Sequence, residues 1–143
     1  MTPTIESIIK HIAVALNSEL TWAEDHAWLI PSQQPATLLT LIWEEETDEL
    51  ILSLSLGTLD ERFPPELVME ILESNRIMAL GHGPKFSCSP ESRMLLLLDT
   101  IHVYDGAETL AGELADNLVD IASEVCQRFT ALGHHLHTPF QER

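Results

Sequence analysis

The sequence predicts an α+β domain in which three helices accompany an antiparallel sheet, in the order α-β-β-β-α-β-β-α. Three segments have the apolar spacing of amphipathic helices, and the segments between them have the polarity patterns of strands. The turns between these strands are of hairpin length, which favours antiparallel pairing over the long crossovers that parallel strands need. In a chain of 143 residues, we expect one domain over residues 1–133 and a mobile, His-containing tail over residues 134–143.

The first helix is predicted over residues 4–18. Ile5, Ile8 and Ile12 recur at the spacing that places side chains on one face of a helix. Thr4 precedes them and suits the position of an N-cap. We therefore expect this helix to present a stripe of isoleucines.

Three strands are predicted next, near residues 22–30, 36–44 and 49–57. Two prolines bracket the first connection, and the acidic run at 44–49 is typical of a solvated hairpin tip. Leucines occupy every second position over 50–56, with mostly polar residues between them. This alternation predicts a strand with one buried face.

The second helix is predicted over residues 65–77, after a Pro-Pro pair that suits a first helical turn. Its apolar side chains sweep an arc of about 200°, whereas a helix with one buried face needs only a little over 100°. The excess predicts a second burial surface. Either the helix is sandwiched within one chain, or it packs against another subunit.

Two further strands, near residues 85–89 and 92–103, and a last helix over 106–132 complete the domain. The longer strand contains the run 94–98, Met-Leu-Leu-Leu-Leu, which is apolar at every position. Both faces of this strand should therefore be covered.

Composition excludes several classes of function. Acidic residues number 23 and basic residues 7, for a net charge of −16. Nucleic acids and anionic membranes are bound largely through Lys and Arg, so neither partner is expected. The chain has no signal-peptide pattern and no run long enough to insert into a membrane. With only Cys88 and Cys126, we expect buried thiols in a reducing cytoplasm.

No catalytic motif is present, so no catalytic residue is assigned and we expect a protein that is not an enzyme. The histidines at 134, 135 and 137 could bind a soft divalent ion, but they lack the four ligands and rigid frame of a structural zinc site. We interpret them as surface histidines, and expect neither a metal nor a cofactor. An enzyme of unrecognised type is a third hypothesis.

Trp22, Trp28 and Trp43 fall in the first two predicted strands of a chain with few other aromatic residues. They fit two interpretations. They could fill the core, or they could form a face that binds a partner, where large flat side chains contribute much of the binding energy.

One stretch of the chain resembles the class I chaperones of bacterial type III secretion systems. A leucine-rich helical segment at 68–75 ends in Asn75, a glycine loop with Gly81 and Gly83 follows, and a hairpin sequence occupies 86–96. The small size, the acidity and the predicted element order match that family too. The Ser-Pro pair in the hairpin departs from the family pattern, which often has an Asp before this turn.

The resemblance implies a bacterial, cytoplasmic homodimer without enzymatic activity. Such a protein binds the N-terminal region of a secreted effector in extended form and keeps it soluble and competent for export, and the secretion ATPase can help to release it. The alternative is a regulatory binding protein of the same fold that sequesters a transcriptional or secretion regulator.

Two sets of apolar residues are the candidates for these contacts. The first helix and the tryptophan-bearing strands offer grooves for an added strand, and the second helix and the fifth strand offer a dimer surface. The candidate partner-binding residues are Ile5, Ile8, Ile12, Trp22, Trp28, Leu39, Leu41 and Trp43. The candidate dimer residues are Leu67, Val68, Met69, Ile71, Leu72, Leu95 and Leu97.

Overall fold

A computed structural model describes residues 3–33, 36–59, 63–81 and 83–133. The predicted tail at 134–143 lies outside the described residues. The elements are α1 (Pro3–Ala15), β1 (Thr21–Glu24), β2 (Ala27–Gln33), β3 (Ala36–Glu44), β4 (Glu49–Thr58), α2 (Pro65–Leu80), β5 (Lys85–Cys88), β6 (Met94–His102) and α3 (Glu108–Ala131).

All six strands form one sheet in the order β1-β2-β3-β4-β6-β5, and every neighbouring pair is antiparallel. The predicted α+β class with three helices is therefore confirmed. One strand was missed, because the segment predicted as a single strand near 22–30 is the hairpin of β1 and β2. The hairpin turns at Asp25 and His26, and His26 has a φ of 63°. His is one of the non-glycine residues that adopt this left-handed conformation, so no glycine marks the turn.

One face of the sheet holds the core. The alternating leucines of β4, Leu50 to Leu56, are all buried, and most of the residues opposite them on β3 and β6 are buried too. The helices α1 and α3 cover this face, and their own contact is close. A Cβ added at Gly112 of α3 would lie 3.0 Å from Cδ2 of His11 on α1. Thr4 does not cap α1 as predicted, because α1 begins at Pro3 and Thr4 lies within it. The Thr4 Oγ1 donates to Oδ1 of Asp105 at 2.6 Å.

The opposite face of the sheet is not sealed by the described part of the chain. Its side chains are apolar or small and uncharged in the middle of the sheet, and each is only partly buried. We call this surface the outer face, defined by its apolar members Leu29, Leu38, Ile42, Ile51, Leu96 and Leu98. The sequence predicts that both faces of the long strand, β6, are covered. Within the described part of one copy, only its core face is covered.

The helix α2 lies beside β5 and the last turns of α3. It begins after Pro64, with Pro65 in the first turn, where a missing N–H costs nothing. Leu67 is buried, the rings of Phe63 and Phe129 meet edge to face at 5.0 Å, and Arg128 of α3 reaches Glu70 at 3.0 Å. These contacts hold only one side of α2.

The prediction of two buried thiols is wrong for one cysteine. Cys88 ends the edge strand β5 and is exposed, whereas Cys126 is half-buried within α3. Burial raises the pKa of the Cys126 thiol, which makes this sulfur a weaker nucleophile at neutral pH.

Candidate functional site: the free edge of the sheet

The first strand, β1, forms one edge of the sheet. It pairs with β2, and all four of its side chains are exposed. In the sheet formed by the described residues, no strand lies on the other side of β1. Backbone N–H and C=O groups on a free edge can pair with another extended chain. The edge is also irregular, because the register shifts between Trp22 and Glu24.

Trp22 and Trp28 lie directly opposite each other in the pair of β1 and β2. Directly opposed residues share one face of an antiparallel pair, so both side chains lie on the face that α1 covers. Trp28 is 5% exposed, whereas Trp22 is 61% exposed. Trp22 thus lies on the same face of the sheet as the core, but one strand beyond Trp28, the last buried residue of this row. A large apolar side chain at such a place is a ready anchor for a partner.

A groove of about 220 Å³ lies between α1 and the first hairpin. Ile9, Leu20 and Trp28 supply apolar walls, and Glu6 and Lys10 lie at its polar side. In a strand added to β1, every second side chain would point toward this face of the sheet. The groove can therefore receive an apolar side chain from a chain that pairs with the edge.

The surroundings of this edge are acidic. Glu24 and Asp25 lie at the hairpin turn and Glu19 precedes β1, and all three are exposed. Together with the net charge of −16, they favour a partner segment that carries basic residues on either side of its apolar ones.

The sequence profile of the Tir chaperone protein (CesT) family matches residues 7–125. The chain belongs to this family. The identification of the chain as a member of the class I type III secretion chaperones is confirmed. Among curated proteins, no sequence is similar enough to count as a match.

Chains in several solved protein complexes share the fold of this CesT-family chain. A chain of the HopA1–SchA chaperone-effector complex matches with a TM-score of 0.66 at 13% identity, over 85% of this chain and 91% of that one. A chain of the ExsC–ExsE complex matches with a TM-score of 0.65 at 16% identity, over 90% and 96%. A chain of the heterodimeric ExoU–SpcU complex from the type III secretion system of Pseudomonas aeruginosa matches with a TM-score of 0.59 at 17% identity, over 82% and 93%.

Most of the candidate partner-binding residues lie inside the core, which corrects their assignment. A side chain with almost no exposed surface cannot contact a second chain, and only Trp22 of this set is exposed. The isoleucines of α1 fill the space between the sheet and α3. Trp43 is fixed from two sides, since its ring meets that of His26 at 4.8 Å and its Nε1 donates to Oδ1 of Asp48 at 3.2 Å. The candidates buried in this way are Ile5, Ile8, Ile12, Trp28, Leu39, Leu41 and Trp43.

The candidate dimer residues divide into two groups. Leu67, Leu95 and Leu97 are buried in the core, so a partner subunit cannot touch them. Val68, Met69 and Leu72 are exposed, and Ile71 is half-buried. On β6 the assignment is wrong by one position, because Leu96 and Leu98 are the leucines that point to the outer face.

Residues of the groove that were not among the candidate partner-binding residues are Glu6, Ile9, Lys10 and Leu20. Ile9 shares the helical spacing of the other isoleucines, so the pattern contained a signal for it. Leu20 lies between α1 and β1, where no periodicity applies, and Lys10 is a surface charge among others. Their convergence follows from the packing of α1 against the first hairpin.

The half-buried carboxyl of Asp99, on β6, lies away from this edge. Desolvation raises the pKa of the Asp99 carboxyl on β6, and a hydrogen bond from the Thr100 N–H at 2.9 Å offsets part of that rise. Within the described ranges, no three His, Cys, Asp or Glu side chains come together as metal ligands, and the expectation of no metal stays a prediction. No helix among those residues has the length and apolarity to cross a bilayer.

Proposed function

We propose that this chaperone binds an extended segment of a secreted effector along β1, with apolar side chains of the segment in the groove beside α1. The observation that carries the proposal is the coincidence of three features at one place. The β1 backbone is free on one side, Trp22 is exposed, and the groove of Ile9, Leu20 and Trp28 opens next to both.

This geometry suits an unfolded segment better than a folded domain. Main-chain hydrogen bonds along the edge supply affinity for any extended chain, and the groove selects apolar residues at alternate positions. A folded domain has already paired most of its backbone groups, so it has few to offer. The acidic surface keeps the complex of chaperone and unfolded client dispersed.

The same reasoning extends to the setting in which the protein works. We propose that it acts without catalysis in the bacterial cytoplasm, and that the secretion ATPase helps to release its client. The acidic composition and the CesT-family match support this setting. Binding and release, rather than a chemical step, are then the whole of its activity.

We further propose that two copies associate through α2 and the outer face. Val68, Met69 and Leu72 of α2 are 40%, 63% and 54% exposed. Leaving such side chains in water forgoes about 1.5–3 kcal/mol for each one that could be fully buried. In a two-fold interface each of them contributes twice.

The position of these residues on α2 connects them to the outer face. Successive residues of a helix are about 100° apart, so the order around α2 is Leu67, Ile71, Asn75, Val68, Leu72. Leu67 and Ile71 face α3, and Asn75 meets the backbone of the edge strand β5. Val68 and Leu72 come after Asn75 in this order, so they lie on the outer side of the sheet. The apolar side chains of α2 and β6 are thus on the same side of the sheet, with Lys85 and Ser87 of β5 between them, and both parts are available to a second copy.

The client site can be tested by replacing Trp22. A client is first obtained by affinity capture from the native cytosol, and its affinity is then measured for the wild type and for Trp22→Ala. We expect a loss of about 30-fold, the effect of removing a tryptophan anchor at an interface. Tyr104→Ala is the matched control, because Tyr104 is an aromatic residue that is 50% exposed in the loop before α3. The affinity of this variant for the client should be unchanged.

Amide hydrogen exchange on the same complex tests the extended form. The client segment should exchange rapidly when free and become protected over a short contiguous stretch when bound. A client segment that is compact and protected before binding would contradict the proposal. If the captured partner is a regulator that stays in the cell, the alternative of sequestration is favoured over export.

A further inference from the structure

The sheet has two edge strands, β1 and β5. At β5, a side chain is hydrogen-bonded to the backbone groups that face away from the sheet. Asn75 of α2 lies against the middle of β5. Its Nδ2 donates to the carbonyl oxygen of Phe86 at 2.9 Å, and its Oδ1 accepts from the N–H of Phe86 at 2.7 Å. The side-chain amide thus meets both backbone groups of one strand residue.

These two bonds are the ones that an added strand would make. In an antiparallel pair, a residue exchanges both an N–H and a C=O bond with the residue opposite. A primary amide carries the same donor and acceptor as a peptide group. The backbone N–H and C=O of Phe86 point toward Asn75. The backbone groups of Lys85 and Ser87, on either side of it, therefore point toward β6.

Few other backbone groups remain on this edge. Besides Phe86, only Cys88 of β5 has backbone groups that point away from β6, and Pro84 before the strand has no N–H to donate. Phe86 therefore holds the central pair of outward backbone groups, and Asn75 satisfies both. Asn75 itself is half-buried, and α2 is anchored by the burial of Leu67 nearby.

We propose that Asn75 closes the β5 edge to strand addition, so that an extended partner adds to the sheet at β1 alone. The second part of this statement rests on the proposed function, whereas the closure of β5 does not. The sheet then has one open edge and one closed edge, and each copy of the chaperone receives a single added strand.

The closure can be tested without a partner, by amide hydrogen exchange at Phe86. In the wild type the Phe86 amide should exchange slowly, although it lies on an edge strand. In Asn75→Ala it should exchange about tenfold faster, the usual effect of losing one hydrogen bond. Asn117→Ala is the matched control, since it makes the same change at an exposed position of α3. Rapid exchange of Phe86 in the wild type would overturn the proposal.

A probe peptide tests which edge accepts a strand. The probe is a synthetic peptide of alternating Val and Thr with Lys at both ends, and its footprint is read as added amide protection. The wild type should gain protection in β1 and none at Phe86, and Asn75→Ala should gain it at both edges. Added protection at Phe86 in the wild type would overturn the closure.

The two experiments separate the failure of this inference from that of the proposed function. If Phe86 is protected in the wild type and no peptide protects β1, then the closure stands and binding at β1 is contradicted. If Asn75→Ala does not fold, the two measurements on the wild type still decide: slow exchange at Phe86 that the peptide leaves unchanged supports the closure, and fast exchange refutes it.

Discussion

The two sides of the molecule expose different elements to a partner. On the α1 side, which comprises α1 and the strands β1 to β3, the helix face is sealed and the sheet edge is free. On the α2 side, which comprises α2, β5 and β6, Asn75 closes the sheet edge and the helix face is exposed. Each side therefore offers a different kind of contact.

The proposed function uses this difference, because one small domain then binds two kinds of partner. A free edge offers backbone hydrogen bonds, which any extended chain can make, whereas an exposed helix face offers apolar area, which needs a surface of matching shape. The α1 side thus suits variable unfolded clients, and the α2 side suits a constant partner such as a second copy. Substitutions on the two sides should separate these roles.

The largest difference is expected in stability. Ile8 of α1 is fully buried, whereas Ile77 of α2 is 55% exposed. Ile8→Ala should lower the free energy of unfolding by about 2–5 kcal/mol, since it removes buried methyl groups and leaves a cavity. Ile77→Ala should change it by less than about 0.5 kcal/mol. Urea denaturation of the two variants measures both values, and equal losses would contradict the contrast between the helices.

The next effect concerns association. Leu72→Asp places a carboxylate in the proposed dimer surface of α2, and two such charges would need water or a proton in an apolar seam. We expect monomers or poorly soluble protein.

Val14→Asp is the control for this variant, because Val14 is a still more exposed apolar residue, on α1 at 77%. It should leave the oligomeric state unchanged. Sedimentation velocity decides between the outcomes, and a stable dimer of Leu72→Asp would show that this part of α2 is not the seam.

Sequence patterns predicted the elements well and the roles of individual residues less well. The bounds of β3 and β4 agree with the prediction to within one residue, because alternating leucines and acidic turns mark them clearly. The wide apolar arc of the second helix predicts a second burial surface, and contacts among the described residues cover only one side of this helix. Its exposed members, Val68, Met69 and Leu72, were already among the candidates.

The failures have two physical causes. In the run 94–98 every residue is apolar, so no alternation in polarity shows which leucines face the core, and the dimer assignment took the wrong pair. On α1 and the tryptophan strands, apolar spacing identifies a buried face but does not say whether the same chain or a partner buries it. The role of Asn75 depends on a contact with Phe86, eleven positions away, which no local pattern encodes.

A smaller effect is expected from the ion pair that ties α2 to α3. Arg128 Nη2 lies 3.0 Å from Glu70 Oε1, and both side chains are about half exposed. Glu70→Gln should lower the free energy of unfolding by about 1 kcal/mol or less, and high salt should abolish the difference from wild type. Urea denaturation at low and high salt measures this, and a large loss that salt does not change would indicate that Glu70 supports α2 by packing.

The smallest effect involves Asp99, the one charged residue in a row of opposed side chains that is otherwise apolar. Trp28, Leu41 and Leu52 lie opposite one another on the neighbouring strands β2, β3 and β4. This row of side chains ends on β6, where Asp99 lies opposite Leu52. Desolvation raises the pKa of Asp99 above its ordinary value of 3.8. Because the native state holds this proton more tightly than the unfolded chain, the charged carboxylate destabilises the fold above the raised pKa.

Asp99→Asn should therefore raise the melting temperature at neutral pH, since an amide keeps an acceptor for the Thr100 N–H without the charge. The advantage over wild type should shrink as the pH falls through the raised pKa, and vanish below 3.8, where Asp99 is protonated in both states. Taking the difference between variant and wild type at each pH cancels the titration of the other carboxylates. Asp116→Asn, at an exposed position of α3, is the control and should show a much smaller dependence. An advantage of Asp99→Asn that grows toward acid pH would mean that the carboxylate stabilises the fold.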